Sequence, residues 1–127
     1  MTKLIISFFV LVLTIVGLLA LQGCGSDANA VGIGAECTTN AACSTDLTCL
    51  TEFKGGYCGK SACVLNADCP SGSICVMESG VNYCFMTCTQ KDECNAHRTL
   101  DNEANCSADV VKTETGDDKV CVPPSGE

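Results

Sequence analysis

The chain has no tryptophan, three prolines and one histidine, His97. Beyond residue 23 its only aromatic side chains are Phe53, Tyr57, Tyr83 and Phe85. Much of the 46% hydrophobic content sits in the first 23 residues. So few large apolar groups cannot build a core that by itself outweighs the entropy of ordering the chain. A Ser-His-Asp or Cys-His arrangement would have to run through His97. That residue lies in Asn95-Ala96-His97-Arg98-Thr99-Leu100-Asp101 and reads as a solvated surface histidine. A redox pair of the Cys-x-x-Cys kind is missing. No enzyme is expected, and no cofactor.

Basic charge is also scarce. Lys3 is one of seven basic residues, so the part after residue 23 carries six against fifteen acidic groups, a net charge of −9. Binding to nucleic acid phosphates calls for the opposite sign, as does polybasic attachment to anionic lipid.

What the chain has is cysteine, 13 of 127 residues. A share of about 10% marks a disulfide scaffold in a short exported protein, and disulfides persist in oxidising compartments. The amino terminus agrees. Met1-Thr2-Lys3 is followed by an uncharged run from Leu4 to Ala20, the layout of an export signal, although its length overlaps that of a spanning helix.

The next residues, Leu21-Gln22-Gly23-Cys24, resemble the lipobox of bacterial lipoproteins: an aliphatic residue, a variable one, a small one and a cysteine. The resemblance implies removal of residues 1–23, cleavage between Gly23 and Cys24, and lipid on the Cys24 thiol, with the freed amino group acylated as well. The membrane would then be the first partner, through the acyl chains (palmitate among them), each buried methylene contributing about 0.8 kcal/mol. Gly25, rather than Asp, at the next position implies sorting to the outer membrane over the inner one. An uncut signal anchor and a leader cut by the ordinary signal peptidase are the alternatives. Parity weighs against both, because an odd cysteine needs an explanation and lipidation of Cys24 leaves twelve. Residues 24–36 then form a small-residue tether, its twelve residues after Cys24 spanning roughly 20 Å.

The twelve cysteines repeat. Cys37-x5-Cys43-x5-Cys49-x8-Cys58 (residues 37–58) is matched without change by Cys63-x5-Cys69-x5-Cys75-x8-Cys84 (63–84). Cys88-x5-Cys94-x11-Cys106-x14-Cys121 (88–121) has the same opening and two stretched loops. A fixed period of this size marks tandem modules, and CTTNAAC, CVLNADC and CTQKDEC keep the register. The expected fold is small and disulfide-rich: three four-cysteine units with short β-hairpins and little helix outside the leader. Hairpins are expected around Lys54-Gly55-Gly56, around Glu78-Ser79-Gly80, and between Val110–Thr113 and Val120. A weak helical pattern covers Ala96–Ala104. Two bridges per unit give six. Four cysteines permit three pairings, and first-to-third with second-to-fourth is the one taken forward.

With Cys69-Pro70-Ser71-Gly72-Ser73-Ile74-Cys75, the spacing resembles cysteine-rich repeats of exported bacterial lipoproteins and, more distantly, the amino-terminal cysteine-rich region of Dickkopf-like secreted proteins. The resemblance rests on cysteines and implies no activity.

Structural zinc favours Cys-x2–4-Cys pairs, and Cys84-x3-Cys88 and Cys58-x4-Cys63 fall between units. Asp101-Asn102-Glu103 and Asp117-Asp118 offer oxygen ligands for calcium without an EF-hand pattern. Asn105-Cys106-Ser107 fits a glycosylation pattern. The expected function is a lipid-anchored, non-catalytic interaction or structural module of the bacterial envelope. An unknown protein partner would meet the stretched loops 95–105 and 107–120. A protease inhibitor presenting Lys54, Lys60 or Arg98 is the first alternative, a calcium-dependent binding module the second.

Overall fold

Residues 32–126 are described by a computed structural model. The expected signal peptide, the expected cleavage between Gly23 and Cys24, the expected lipidation of Cys24 and the expected tether as far as residue 31 lie outside the described residues. No described helix is long and apolar enough to cross a membrane.

Each unit begins with an arm and ends in a hairpin. The strands are β1 (Thr48–Cys49), β2 (Cys58–Ser61), β3 (Ser73–Glu78), β4 (Val81–Cys88), β5 (Asn105–Ser107), β6 (Val111–Lys112) and β7 (Lys119–Val122). The arms carry single tight turns, 3-10 at Asn40–Ala42 and Asn66–Asp68 and α-helical (α1) at Lys91–Cys94. A further 3-10 turn, Leu100–Asn102, is what forms of the weak helical pattern at Ala96–Ala104. All strand pairs are antiparallel.

The third and fourth cysteines of every unit face each other across a hairpin: Cys49 opposite Cys58, Cys75 opposite Cys84, Cys106 opposite Cys121. None of these facing pairs is bonded. The bridges run from the arm to the hairpin, Cys37–Cys49 and Cys43–Cys58, Cys63–Cys75 and Cys69–Cys84, Cys88–Cys106 and Cys94–Cys121. Each arm is thus stapled twice over its own hairpin. The Cα separations repeat as well: 5.8, 5.9 and 6.0 Å for first-to-third, and 5.4, 5.4 and 5.3 Å for second-to-fourth.

The second hairpin turns on Ser79 and Gly80, at φ 51° and 84°. Two consecutive residues with positive φ match the right-handed twist of the flanking strands. In the first hairpin Gly56 has no substitute, because a Cβ there would lie 2.0 Å from the Cys37 carbonyl oxygen.

The third hairpin differs from expectation. Val110–Thr113 does not pair with the return at Val120; β7 pairs with β5 instead. The intervening loop carries β6 to the outer edge of β3, setting Val111 opposite Met77 and Lys112 opposite Val76. Thr113 adds two hydrogen bonds to the Cys75 carbonyl, from its backbone N–H and from Oγ1. The physical reason is an open sheet edge: β3 would otherwise leave backbone groups without partners, and only the stretched loop is long enough to reach them.

Strand β4 joins the units. It pairs with β3 along one side, and with β2 and then β7 along the other. All four aromatics of the region meet in one core, with Leu50, Val76 and Val120. Their ring centroids lie 5.1–6.1 Å apart. The buried Tyr57 hydroxyl accepts a hydrogen bond from Met86 N–H at 3.0 Å. Three small units that could not each fill a core therefore share one.

Candidate functional site

The braces of the scaffold come first, because they decide which side chains remain for other work. Asn40 Oδ1 accepts from the N–H of Cys49, and Asn66 Oδ1 accepts from the N–H of Cys75, both at 2.9 Å. The fourth residue of each opening motif thus ties the arm to the third cysteine. In the third unit Lys91 holds that position, and Asn95 takes over, bonding both the N–H and the carbonyl of Ala104. Asp68 accepts from the N–H groups of Val64 and Leu65. At the same offset Glu93 accepts from the N–H and hydroxyl of Thr89. These hydrogen bonds favour the charged form and hold both carboxyls below their usual range. The motif register was visible in the sequence; the role of the asparagines was not drawn from it.

Several expected site residues are consumed by structure. Arg98 was a candidate for presentation to a protease, and the fold places it elsewhere. Its guanidinium donates to the carbonyls of Asn102 (2.7 Å), Gly56 (2.9 Å), Lys54 (2.9 Å) and Gly34 (3.3 Å). It also lies 5.9 Å from the centre of the Tyr57 ring. Lys60 donates to the Asp68 carbonyl. Lys54 is exposed and belongs to a held loop, its N–H donating to the Pro124 carbonyl.

The loop 95–105 is likewise a structural strap. Glu36, in the last stretch of the expected tether, which packs on the first unit with Ala35 buried, accepts from the Thr99 N–H, the Thr99 hydroxyl and the Asn102 amide. Of the calcium trio, Asn102 is therefore engaged, and Glu103 is paired with Lys91. Asp101, Asp117 and Asp118 are exposed. Exposed His97 keeps its backbone carbonyl on the Glu36 N–H. Asn105, of the glycosylation pattern, pairs with Val122 in the sheet.

Among the described residues, the groups of three potential metal ligands are all cysteine: Cys37, Cys43 and Cys58; Cys63, Cys69 and Cys75; Cys88, Cys94 and Cys106. Each set reflects two neighbouring disulfides, and sulfur in a disulfide is not the thiolate that binds zinc.

One concavity is built from the first two units and the segment that follows the last cysteine. A cleft of about 480 Å³ lies between Phe53, Tyr83 and the carboxyl-terminal segment Val122–Gly126, with Glu52 and Glu78 in its walls. The terminal segment is pinned by Lys54 N–H to Pro124 O (2.9 Å), Gly126 N–H to Glu52 O (3.0 Å) and a β-bridge between Phe53 and Ser125. Tyr83 is 7% exposed. Its phenol is pushed above the usual tyrosine range, first by burial, then by hydrogen bonding to Glu52 and by the charges of Glu52 and Glu78. No local pattern announces this cleft, since its parts are spread over residues 52–126.

No protein-family model, curated protein or solved structure matches the chain.

Proposed function

We propose that this chain is a lipid-anchored bacterial envelope protein, held on the outer membrane through Cys24, whose disulfide-stabilised domain acts as a non-catalytic interaction or structural module. One observation carries the reading. Six bridges use all twelve cysteines from Cys37 to Cys121, so Cys24 is the thirteenth, and it stands at the end of Leu21-Gln22-Gly23-Cys24. Lipidation gives that thiol an assignment. The non-catalytic role is supported by the same count, since every cysteine of the domain is half of a bridge, and His97 faces solvent.

The test is intact mass of the protein from a bacterial envelope, non-reduced and with thiols blocked. Loss of residues 1–23, added diacylglycerol with or without one further acyl chain, and no blocked thiol are expected. An uncut leader or an unmodified Cys24 would refute the anchor.

A second reading, a protease inhibitor, keeps one specific support: Lys54 is exposed in a loop clamped at Pro124, and a preorganised loop loses little entropy on binding. Absence of inhibition across trypsin-like proteases by the oxidised protein removes it.

A further inference from the structure

The cleft between Phe53, Tyr83 and the terminal segment has a composition that selects its occupant. We propose that it is a docking site for an arginine side chain presented by a partner polypeptide. The proposal deepens the reading of the domain as an interaction module and is independent of the lipid anchor.

Shape is the first argument. The floor is aromatic, Phe53 and Tyr83 meeting edge to face at 5.1 Å. Pro123 and Pro124 supply an apolar wall, and the hydrogen bonds of Lys54 and Gly126 fix that wall in place. Few groups need ordering when a ligand enters, so little of the interaction is lost to entropy.

Charge is the second. Glu52 and Glu78 belong to the first and second units, and both act on the Tyr83 phenol. Neither has a cation of its own: the Lys91–Glu103 pair is the one salt bridge among the described residues. An anion entering here would meet two carboxylates and an aromatic face, all of the wrong sign. A calcium ion would meet too few oxygens, since it takes six to eight, and no three carboxylates are gathered at any point among the described residues. An organic cation fits both features. Its charge reaches the carboxylates while its flat surface lies against the aromatic and proline atoms that line the cleft.

Arginine is preferred to lysine because its guanidinium is planar, stacks on aromatic and proline faces and can meet a carboxylate with two parallel hydrogen bonds. The molecule already uses this chemistry internally, with Arg98 set over Tyr57.

The experiment is a titration of the oxidised, 15N-labelled full chain in detergent with acetyl-Gly-Arg-Gly-amide, followed by amide shifts. The citrulline peptide, equal in shape and neutral, is the control. Shifts confined to residues 52–54, 78–83 and 122–126, absent with citrulline, are expected. Glu52→Gln with Glu78→Gln should weaken binding roughly fivefold to tenfold, while Asp117→Asn with Asp118→Asn leaves it unchanged. Should the first pair misfold, Ser125→Trp, which fills the cleft from its exposed rim, takes its place and should abolish binding outright. No localised shifts, equal shifts with citrulline, or an equal loss on neutralising Asp117 and Asp118 would overturn the proposal. So would the same local shifts with calcium alone, which would make the cleft a metal site. The intact-mass result bears on the anchor alone, so failure of either idea leaves the other standing.

Discussion

The second and third units have the same bridge pattern and different strand partners. In the second, Cys75 and Cys84 face each other in a hairpin closed by the two residues Ser79 and Gly80. In the third, Cys106 and Cys121 face each other in the same way, yet their hairpin encloses a loop that sends β6 across to β3. The covalent arrangement is therefore fixed by the immediate surroundings of the cysteines. What lies between the third and fourth of them is free to serve the rest of the molecule. The added length in the third unit goes into contacts with its neighbours: β6 covers an edge of the second unit, and the strap from Asn95 to Asn105 is fastened to the first.

The second and third units should differ most in what their bridges contribute. Chain entropy alone makes the Cys88–Cys106 bridge worth more than Cys63–Cys75, since it closes 18 residues rather than 12, but the difference is only about 0.4 kcal/mol. Burial acts the other way. Cys63 and Cys75 are 2% and 0% exposed, whereas Cys106 is half-buried, so voids left in the second unit cost more. Replacing Cys63 and Cys75 by Ala should destabilise by about 3–5 kcal/mol, against about 2–3 kcal/mol for Cys88 and Cys106. Melting curves of the two double variants decide it, and the reverse order would mean that loop length governs.

The next effect in size tests the strap. Arg98→Met keeps an apolar stem in place of the arginine's aliphatic part and removes its hydrogen bonds to four carbonyls. A loss of about 2–4 kcal/mol is expected, with hydrogen exchange accelerating in residues 95–105 and 54–56 before the β3–β4 hairpin. Uniform acceleration would show that the strap is no separate element.

The sequence carried the three four-cysteine units and two of the three hairpins, and left three pairings open within each unit. Cysteine spacing is a local signal, and so is the turn chemistry of Ser79-Gly80. The path of β6 was not legible, because its partner β3 lies some 35 residues earlier and nothing in Val110–Thr113 names the edge it covers. The role of Arg98 is hidden for a related reason. An arginine in a polar loop resembles a presented side chain until the carbonyls of Gly34, Lys54 and Gly56 are brought to it by folding. The cleft is hidden most deeply, being assembled from two units and from the segment with the proline pair after the last cysteine.

A smaller effect compares equivalent braces. Asn66→Ala removes one hydrogen bond to the Cys75 N–H, a loss of about 1 kcal/mol. Asn95→Ala removes the bonds to both backbone groups of Ala104 and one to the Lys91 carbonyl, and should cost more, about 2 kcal/mol. Thermal denaturation of the two variants measures the difference. Equal losses would mean that Asn95 is no stronger a brace than the asparagine it replaces.

The smallest effect concerns acid. Burial raises the pKa of Glu36, but hydrogen bonds from the Thr99 N–H, the Asn102 amide and the Thr99 hydroxyl, with the charge of Arg98, outweigh it and leave the carboxyl below its usual value. Asp68 and Glu93 are shifted the same way by their own hydrogen bonds. A carboxyl whose folded pKa lies below its unfolded one stabilises the fold fully above the unfolded value, about 4.3 for Glu and 3.9 for Asp. That contribution is lost as pH falls through the folded value. The melting temperature should thus hold between pH 7 and 5 and drop by a few degrees below pH 4, with the six bridges intact. Glu36→Gln should flatten part of that drop, and it should do so in the strap, since Glu36 fastens the third unit to the first. Asp68→Asn should flatten another part inside the second unit and leave residues 95–105 undisturbed. If instead both variants loosen the strap at low pH, the acid response belongs to the fold as a whole, and the division between a self-contained second unit and a third unit spent on its neighbours does not extend to its charges.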